Sequence, residues 1–219
     1  MQCRGNRRYR RALCQRLNSL FDCGHRGINR QGRGDRLWVV PSHHDIPAEA
    51  SVALRLDPGL AFGTGTHPTT RLCLEAIDRL AQPASRVLDY GCGSGVLAIA
   101  ALKLGAASAL AIDIDPQALQ ATNENAARND VADQIQTSMP HDLGDARFDL
   151  VLANILAGPL QQLAPSLSNA AEPGATLVLS GILATQVEAV EAAYRDTFTM
   201  SAPITHEGWA CLVGVRTGA

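Results

Sequence analysis

The sequence predicts an α/β fold, in which helices cover both faces of a doubly wound, mostly parallel sheet of seven strands. From residue 86 onward, short apolar runs alternate with segments that carry the helical repeat of apolar residues. Such alternation is typical of a parallel sheet that is covered on both faces. In addition, the apolar run Arg86–Asp89 leads into the glycine-rich stretch 91–95 and then into a helix, the usual ligand-binding unit of doubly wound folds.

The predicted elements follow one another in a regular order. Short strands are predicted over Leu37–Pro41 and Val52–Leu56, and a helix over the periodic stretch that ends before Pro83. The predicted strands beyond it are Arg86–Asp89, Ala109–Asp113, Gln134–Thr137, Phe148–Ala153, Thr176–Ser180, Phe198–Met200 and Trp209–Val215. The predicted helices between them are Val96–Leu104, Ala118–Asn129, Leu160–Asn169 and Thr185–Tyr194.

Charge is distributed unevenly along the 219 residues. Residues 1–36 hold ten arginines and two acidic residues, whereas the remainder holds nine basic and nineteen acidic residues. We predict a basic, poorly ordered segment at 1–36, a linker with a lead-in strand at 37–55, and the main catalytic domain at 56–219. A basic RNA-binding arm is the alternative for 1–36; we favour a disordered tail and expect no direct nucleic-acid binding.

Composition excludes several classes of protein. There is neither an apolar run of 18 residues nor a signal peptide, so we expect a cytoplasmic protein without a membrane span, and a monomer. The six cysteines form no CxxC pair and are interpreted as reduced thiols. A zinc site built from Cys14, Cys23 and His25 is conceivable, but its spacing matches no common pattern, and we expect no metal.

The glycine-rich stretch Gly91-Cys92-Gly93-Ser94-Gly95 indicates the cofactor. A dinucleotide site requires a third glycine where this chain has Val96. Asp89, immediately before the turn, would repel a pyrophosphate and would suit a cationic amino-acid group. S-adenosylmethionine carries an ammonium and a sulfonium and no phosphate. We therefore predict S-adenosylmethionine as cofactor, with Asp89, Gly91 and Gly93 in its site.

Two further strand ends carry polar side chains. Asp113 ends the second strand of the alternating region, about twenty residues past the glycine turn, where a carboxylate can accept hydrogen bonds from both ribose hydroxyls. Asp115 precedes Pro116 and is predicted to cap the next helix. Asn154 ends the fourth strand, and its amide offers a donor and an acceptor. A turn-forming asparagine is the equally acceptable alternative.

These residues resemble the PrmA family, whose members methylate protein eleven of the large ribosomal subunit. The resemblance rests on five stretches and runs from about Arg36 to near the C-terminus. They are residues 56–71 (LDPGLAFGTGTHPTTR), the turn at 91–95, Asp113-Ile114-Asp115-Pro116, residues 153–160 (ANILAGPL) and residues 180–183 (SGIL). The turn alone would indicate only a class I methyltransferase with a Rossmann-like fold.

The resemblance implies methylation of lysine ε-amino or α-amino groups of a ribosomal protein. It implies cofactor contacts at Thr70, Gly91, Asp113 and Asn154, and a loop over 61–67 that closes on the cofactor and contains Phe62 and His67. Judged from the residues alone, His67 is a capping or solvent-facing residue before Pro68. No side-chain arrangement stands out as an obligatory base, so we expect catalysis by positioning, with Asn154 orienting the amine.

The sequence departs from the family at its start. PrmA enzymes carry an N-terminal recognition domain and a linker, whereas about 36 unusual residues precede the match here, too few for a separate core. We therefore expect recognition of the ribosomal protein to be weakened. The alternatives are another class I methyltransferase acting on RNA, protein or a small molecule, and a cofactor-binding protein without protein-methylating activity. Asn-Ile-Leu-Ala differs from the Asn-Pro-Pro-Tyr pattern of enzymes that methylate planar nitrogens.

Overall fold

A computed structural model describes residues 36–40, 45–46, 48, 50–56 and 67–218 of the chain. Apart from Arg36, the predicted basic segment therefore lies outside the described residues. So do the conceivable zinc ligands Cys14, Cys23 and His25, and residues 61–66 of the predicted loop, which include Phe62.

Within this part of the chain the strands and helices have the following bounds. The strands are β1 (Leu37–Val40), β2 (Val52–Arg55), β3 (Arg86–Tyr90), β4 (Ser108–Ile112), β5 (Ile135–Ser138), β6 (Phe148–Asn154), β7 (Ala171–Leu183), β8 (Phe198–Met200), β9 (Ile204–His206) and β10 (Trp209–Arg216). The helices are α1 (Pro68–Leu80), α2 (Val96–Lys103), α3 (Pro116–Arg128), α4 (Ala157–Gln162), α5 (Ala164–Ala170) and α6 (Val187–Tyr194).

The main sheet has the strand order β5-β4-β3-β6-β7-β10-β8, and β9 pairs with part of β10. Strands β3 to β7 pair in parallel, whereas β10 runs antiparallel to β7, β8 and β9. The predicted doubly wound, mostly parallel α/β fold is confirmed. The structure adds an eighth strand, β9, which the sequence analysis did not predict.

The chain reverses its direction of travel across the sheet between β3 and β6. From β3 it proceeds outward through β4 to β5, and it then returns to the other side of β3 for β6 and β7. Ligands of open α/β sheets bind outside the carboxyl ends of the strands at such a switch point. The fold therefore predicts a ligand site among the residues that follow β3, β4 and β6.

The core forms two layers, one on each face of the sheet. Helices α1 and α2 and one side of α3 bury the first layer, whereas α4, α5 and α6 bury the second. The two strands β1 and β2 form a separate parallel pair. Leu37 of β1 and Leu54 of β2 join the first layer together with Leu56, the residue after β2, so this predicted linker region packs on the domain.

Polar contacts also hold β1 and β2 in place. The Asn129 side chain accepts from the Arg55 amide at 2.7 Å and donates to the Arg55 carbonyl at 2.8 Å, as a neighbouring strand would. At the start of β1, the buried carboxylate of Asp78 accepts from Nε of Arg36 at 3.0 Å. Both strands are thus joined to the helices that cover the sheet.

Most element boundaries lie within two residues of the prediction, and larger differences occur in one helix and one strand. The helix predicted over Leu160–Asn169 is divided into α4 and α5, with Leu163 ending one and beginning the other. Pro165 in the first turn of α5 suits a helix start, because proline lacks the amide hydrogen that a helix interior uses. Strand β7 starts five residues before its predicted start at Thr176, and its pairing with β6 is irregular in register between Ala171 and Thr176.

Candidate functional site

The turn between β3 and α2 depends on glycine geometry. Gly91, Gly93 and Gly95 all have positive φ, at 77°, 54° and 74°. A Cβ on Gly91 would lie 2.4 Å from the Ile155 side chain, and one on Gly95 would lie 2.7 Å from that of Thr122. Both the backbone conformation and the space therefore require glycine at these two positions.

Most amide groups of this turn are already occupied by acceptors of the protein. The amides of Gly91 and Cys92 both donate to the Ile112 carbonyl, at 2.7 and 3.0 Å. The Gly93 amide donates to Oδ2 of Asp113 at 2.9 Å, and the Gly95 amide donates to the Cys92 carbonyl at 2.8 Å. A phosphate-binding loop needs free amides that converge on an anion. This turn does not supply them.

Asp89 lies beneath the turn and is not exposed to solvent. Its side chain is fully buried, and Oδ2 accepts from the amide of Ala98 in the first turn of α2 at 3.0 Å. The amides of a helix start have no partner within the helix, and this carboxylate accepts from one of them. Burial raises the pKa of Asp89 to about 7, the Ala98 hydrogen bond opposes this rise, and the charge of Asp113 adds to it.

The second oxygen of Asp89 is left without a partner. Asp89 Oδ1 is buried and makes no hydrogen bond, and the same is true of Oδ1 of Asn154 at the end of the neighbouring strand β6. A buried acceptor without a donor is costly, so such atoms call for an explanation. An ammonium group, which carries three donors, is a chemically suitable partner for acceptors of this kind.

Asp113 follows β4 and is held by two backbone amides. Its Oδ2 accepts from Gly93 and its Oδ1 accepts from Asp115 at 3.0 Å. The side chain is only half-buried, and a carboxylate has about four lone-pair sites, so it can still accept from the two hydroxyls of a ribose. Asp115 caps α3 by accepting from the Gln117 amide at 2.9 Å, with Pro116 in the first turn, as predicted.

Asn154 and Thr70 meet at the other side of the switch point. The Asn154 amide nitrogen donates to Oγ1 of Thr70 at 3.4 Å, and Thr70 is buried in the first turn of α1. Because 84 residues separate them in the chain, this proximity could not be derived from spacing. It brings together two of the positions that the family resemblance implies.

His67 caps α1 in the structure. Its Nδ1 accepts from the Thr69 amide at 3.3 Å and lies 2.8 Å from the Thr69 hydroxyl, and its ring meets Trp209 edge to face, with centroids 4.9 Å apart. This is the capping role that the residues alone suggested. A cofactor contact for His67 stays a prediction, and so does one for Phe62, which lies outside the described residues.

Several side chains beside the site were not singled out from the sequence. Ile114 and Leu156, which follow β4 and β6, are large apolar residues exposed to 77% and 69%. Gly181 lies against the backbone of Ile155, where an added Cβ would come within 2.3 Å of its carbonyl oxygen. Ile114 directly follows the predicted strand end at Asp113, and Leu156 lies three residues after the one at Ala153, which was the signal available for these two. Nothing in the sequence indicated the contact of Gly181.

Three of the six cysteines lie in the described part of the chain, away from any metal-binding cluster. Cys73, Cys92 and Cys211 are buried free thiols, which agrees with their interpretation as reduced cysteines. Among the described residues, no cluster of metal-binding side chains occurs, and no helix has the length and apolarity needed to cross a membrane.

Comparisons with known sequences are consistent along most of the chain. The family described as "Ribosomal protein L11 methyltransferase (PrmA)" matches residues 31–217. Two relatives named ribosomal protein L11 methyltransferase are 60% identical over 183 residues (Chromohalobacter salexigens) and 54% identical over 182 residues (Escherichia coli). The matches cover 83% of this chain and 61% and 62% of those proteins. The chain thus spans about three fifths of the length of these relatives.

Solved structures show the same fold. The ribosomal protein L11 methylase of Lactobacillus delbrueckii subsp. bulgaricus matches with a TM-score of 0.76 and 38% identity, over 85% of this chain and 98% of that one. An RNA methyltransferase of Salinibacter ruber, solved with S-adenosylhomocysteine, matches with a TM-score of 0.55 and 19% identity, over 67% and 91% of the two chains. At that identity the second likeness concerns the fold alone.

Proposed function

The chain belongs to the PrmA family of ribosomal protein L11 methyltransferases, and we propose that it transfers methyl groups from S-adenosylmethionine to amino groups of ribosomal protein L11. S-adenosylmethionine is the cofactor of these enzymes. The acceptors we propose are lysine ε-amino groups or the α-amino group. A ribosomal acceptor favours action in the cytoplasm, and we propose that the chain acts as a monomer.

The observation that carries this proposal is the set of hydrogen-bond donors and acceptors that the switch point leaves available to a ligand. Four of the five amides at 91–95 donate to acceptors within the protein, so a pyrophosphate gains little there. Oδ1 of Asp89, a buried acceptor without a partner, favours a cationic donor instead. Together with the ribose-binding geometry of Asp113, this set of groups fits a nucleoside linked to an amino acid and does not fit a dinucleotide.

Each residue has a proposed role that follows from its position. Asp113 accepts from the ribose hydroxyls. Oδ1 of Asp89 accepts from the ammonium group of the cofactor, directly or through water. Thr70 and the glycines Gly91 and Gly93 line the site between these groups.

Positioning supplies the catalysis in this proposal. When bound, the sulfonium cofactor supplies an electrophilic methyl carbon, whose bond to sulfur breaks as the bond to the acceptor nitrogen forms. The acceptor must arrive as a neutral amine, and removal from water lowers an amine's pKa. Asn154, held by Thr70, orients the amine through its Oδ1, which can accept one of the amine's hydrogens. Holding the reacting atoms near 3 Å in line accounts for most of the rate.

A transfer assay tests the proposal. The chain is incubated with S-adenosylmethionine carrying a tritiated methyl group and with purified ribosomal protein L11, and the label is located by peptide mapping. We expect label on amino groups of L11 and, for Asn154→Ala, a large loss of kcat with a much smaller change in cofactor affinity. Label absent from L11 but present on RNA or on another protein would overturn the substrate assignment.

A further inference from the structure

Gly93 is held on both sides of its α-carbon. Its amide donates to Oδ2 of Asp113 at 2.9 Å, and its carbonyl accepts from the Thr122 hydroxyl at 3.1 Å. Gly93 has a positive φ of 54° and no side chain to pack, so its own conformational preference is weak. These two hydrogen bonds are therefore what orients this residue.

The same hydrogen bonds form a closed ring through α3. Thr122 lies in that helix, whose first turn is capped by Asp115. The amide of Asp115 in turn donates to Oδ1 of Asp113 at 3.0 Å. One oxygen of the Asp113 carboxylate thus accepts from the Gly93 amide, and the other accepts from the amide of Asp115 at the start of α3. Thr122, which lies in α3 and donates to the Gly93 carbonyl, connects these two contacts.

The surroundings of Thr122 indicate that its hydroxyl forms specific hydrogen bonds in addition to filling space. The side chain is fully buried between Ala118 and Ala126 along the helix, and its hydroxyl also lies 3.4 Å from Sγ of Cys92. An added Cβ on Gly95 would lie 2.7 Å from its methyl carbon. One turn further along α3, Nδ2 of Asn125 donates to the Ser94 carbonyl at 2.9 Å. Two polar side chains of α3 therefore bind successive carbonyls at the back of the turn.

We propose that Thr122 is a positioning residue of the cofactor site: through Gly93 it directs the Asp113 carboxylate toward the ribose, without touching the cofactor. This inference rests on the proposed function, because it assumes that the ligand presents ribose hydroxyls to Asp113. Without the Thr122 hydroxyl, the Gly93 carbonyl loses its buried donor and the turn can rotate. Asp113 then loses the fixed direction that two simultaneous hydroxyl bonds require.

A double-mutant cycle tests this chain of contacts. The affinity for S-adenosylhomocysteine is measured by calorimetry for the wild type, Thr122→Val, Asp113→Asn and the double variant, together with melting temperatures without ligand. Valine keeps the volume and removes the hydroxyl, and Thr122→Ala serves the same comparison if valine is not accommodated. We expect Thr122→Val to weaken binding about 5-fold to 10-fold, and Thr122→Ser to bind within about 2-fold of the wild type.

The coupling between the effects of the Thr122 and Asp113 substitutions on affinity distinguishes a positioning role of Thr122 from a merely structural one. Because Thr122 acts through Asp113, the double variant should bind within about 2-fold of Asp113→Asn alone. Ser168→Ala is the matched control, because it also removes a buried hydroxyl, which lies 3.1 Å from the Thr197 hydroxyl. Ser168 lies in α5, just before the amino end of β7, whereas the proposed site lies at the carboxyl ends of the strands. This control variant should lower the melting temperature without changing affinity.

Two outcomes would overturn the inference, and a third concerns the proposed function. Fully additive losses in the double variant, or wild-type affinity in Thr122→Val, would show that Thr122 does not act through Asp113. If the wild type itself fails to bind S-adenosylhomocysteine, the proposed function fails with it. In that case Thr122 has no cofactor to position.

Discussion

Asp89 is a carboxyl group placed where an ordinary carboxylate is unstable. It is fully buried and receives a single hydrogen bond, so burial raises its pKa to about 7. In the unfolded chain the pKa returns to about 4. The folded protein therefore holds a proton between about pH 4 and pH 7 that the unfolded chain releases. The stability contributed by this group is complete below about pH 4 and is lost as the pH rises through about 7.

This sign gives a prediction for Asp89→Asn. As the pH rises from 5 to 8, the unfolding free energy of the wild type should fall relative to that of the variant, because asparagine does not titrate. Urea unfolding of both proteins at the two pH values measures the difference. A difference that stays constant would show that Asp89 does not titrate in this range.

Asp113 gives a second prediction at the scale of single residues. Asp113→Ala removes the acceptors for both ribose hydroxyls and should weaken S-adenosylmethionine binding about 10-fold to 100-fold, the usual loss for hydrogen bonds to a charged group. Asp142→Ala is a matched control, because this exposed acid lies beyond β5, where its side chain accepts from the Ser138 hydroxyl and lies 3.4 Å from Nε2 of His141. Unchanged affinity in Asp113→Ala, measured by calorimetry, would remove this residue from the site.

The positions of these residues at strand ends could be predicted from the sequence, but their burial and their contacts could not all be predicted. Asp113 and Asn154 could be placed because an apolar run followed by a polar residue marks a strand end. The burial of Asp89 beneath α2 depends on how helix and sheet pack. The contact of Asn154 with Thr70 depends on how α1 packs against β6 and β7. Neither packing distance is encoded in local spacing.

At the scale of elements, the ends of β6 and β7 meet through a glycine. Gly181 has a φ of 85° and its α-carbon faces the Ile155 backbone, which cannot move aside as a flexible side chain could. Gly174, in the same strand, has a nearly equal φ of 87° and open space around it. The pair therefore separates the cost of backbone conformation from the cost of a clash.

Alanine substitution at these two glycines is the third prediction. Gly174→Ala should cost about 1–2 kcal/mol of unfolding free energy, the penalty of a left-handed conformation. Gly181→Ala should cost about 1–3 kcal/mol more, because the Ile155 backbone must shift. Urea unfolding of both variants measures the two costs. Equal losses would mean that Ile155 yields without strain.

Element boundaries were predicted less well than element types, for local reasons. The strand β9 has only three residues, Ile204 to His206, and follows Pro203 closely. It exists because β10 offers it a free edge, a tertiary cause that no periodicity records. The division of α4 from α5 at Leu163 is hidden in an otherwise continuous apolar pattern, with Pro165 as its single mark.

At the scale of the whole molecule, the alternation of strands and helices was enough to predict the fold. Each βα unit buries one face on the sheet, and right-handed crossovers leave few arrangements for such a chain. The strand pair β1 and β2 was predicted as strands but not as a parallel pair packed on the first core layer. Its attachment depends on Asn129 and Asp78, whose side chains give no such signal in the sequence.

The charge asymmetry of the whole chain gives the fourth prediction. Residues 1–34 carry most of the arginines of the basic segment and no core-forming pattern, so removing them should leave the melting temperature and the cofactor affinity nearly unchanged. The shortened chain keeps Arg36, which bonds Asp78. Thermal unfolding and calorimetry check this, and a large drop in melting temperature would show that the segment packs on the domain.

The central claim is that the switch point binds a nucleoside carrying an amino acid and not a dinucleotide. The most direct measurement is a calorimetric titration of the intact chain with S-adenosylmethionine and, separately, with NAD. The four turn amides that donate within the protein and the buried Oδ1 of Asp89 predict clear binding of S-adenosylmethionine and weak or no binding of NAD. Tighter binding of NAD would contradict the account.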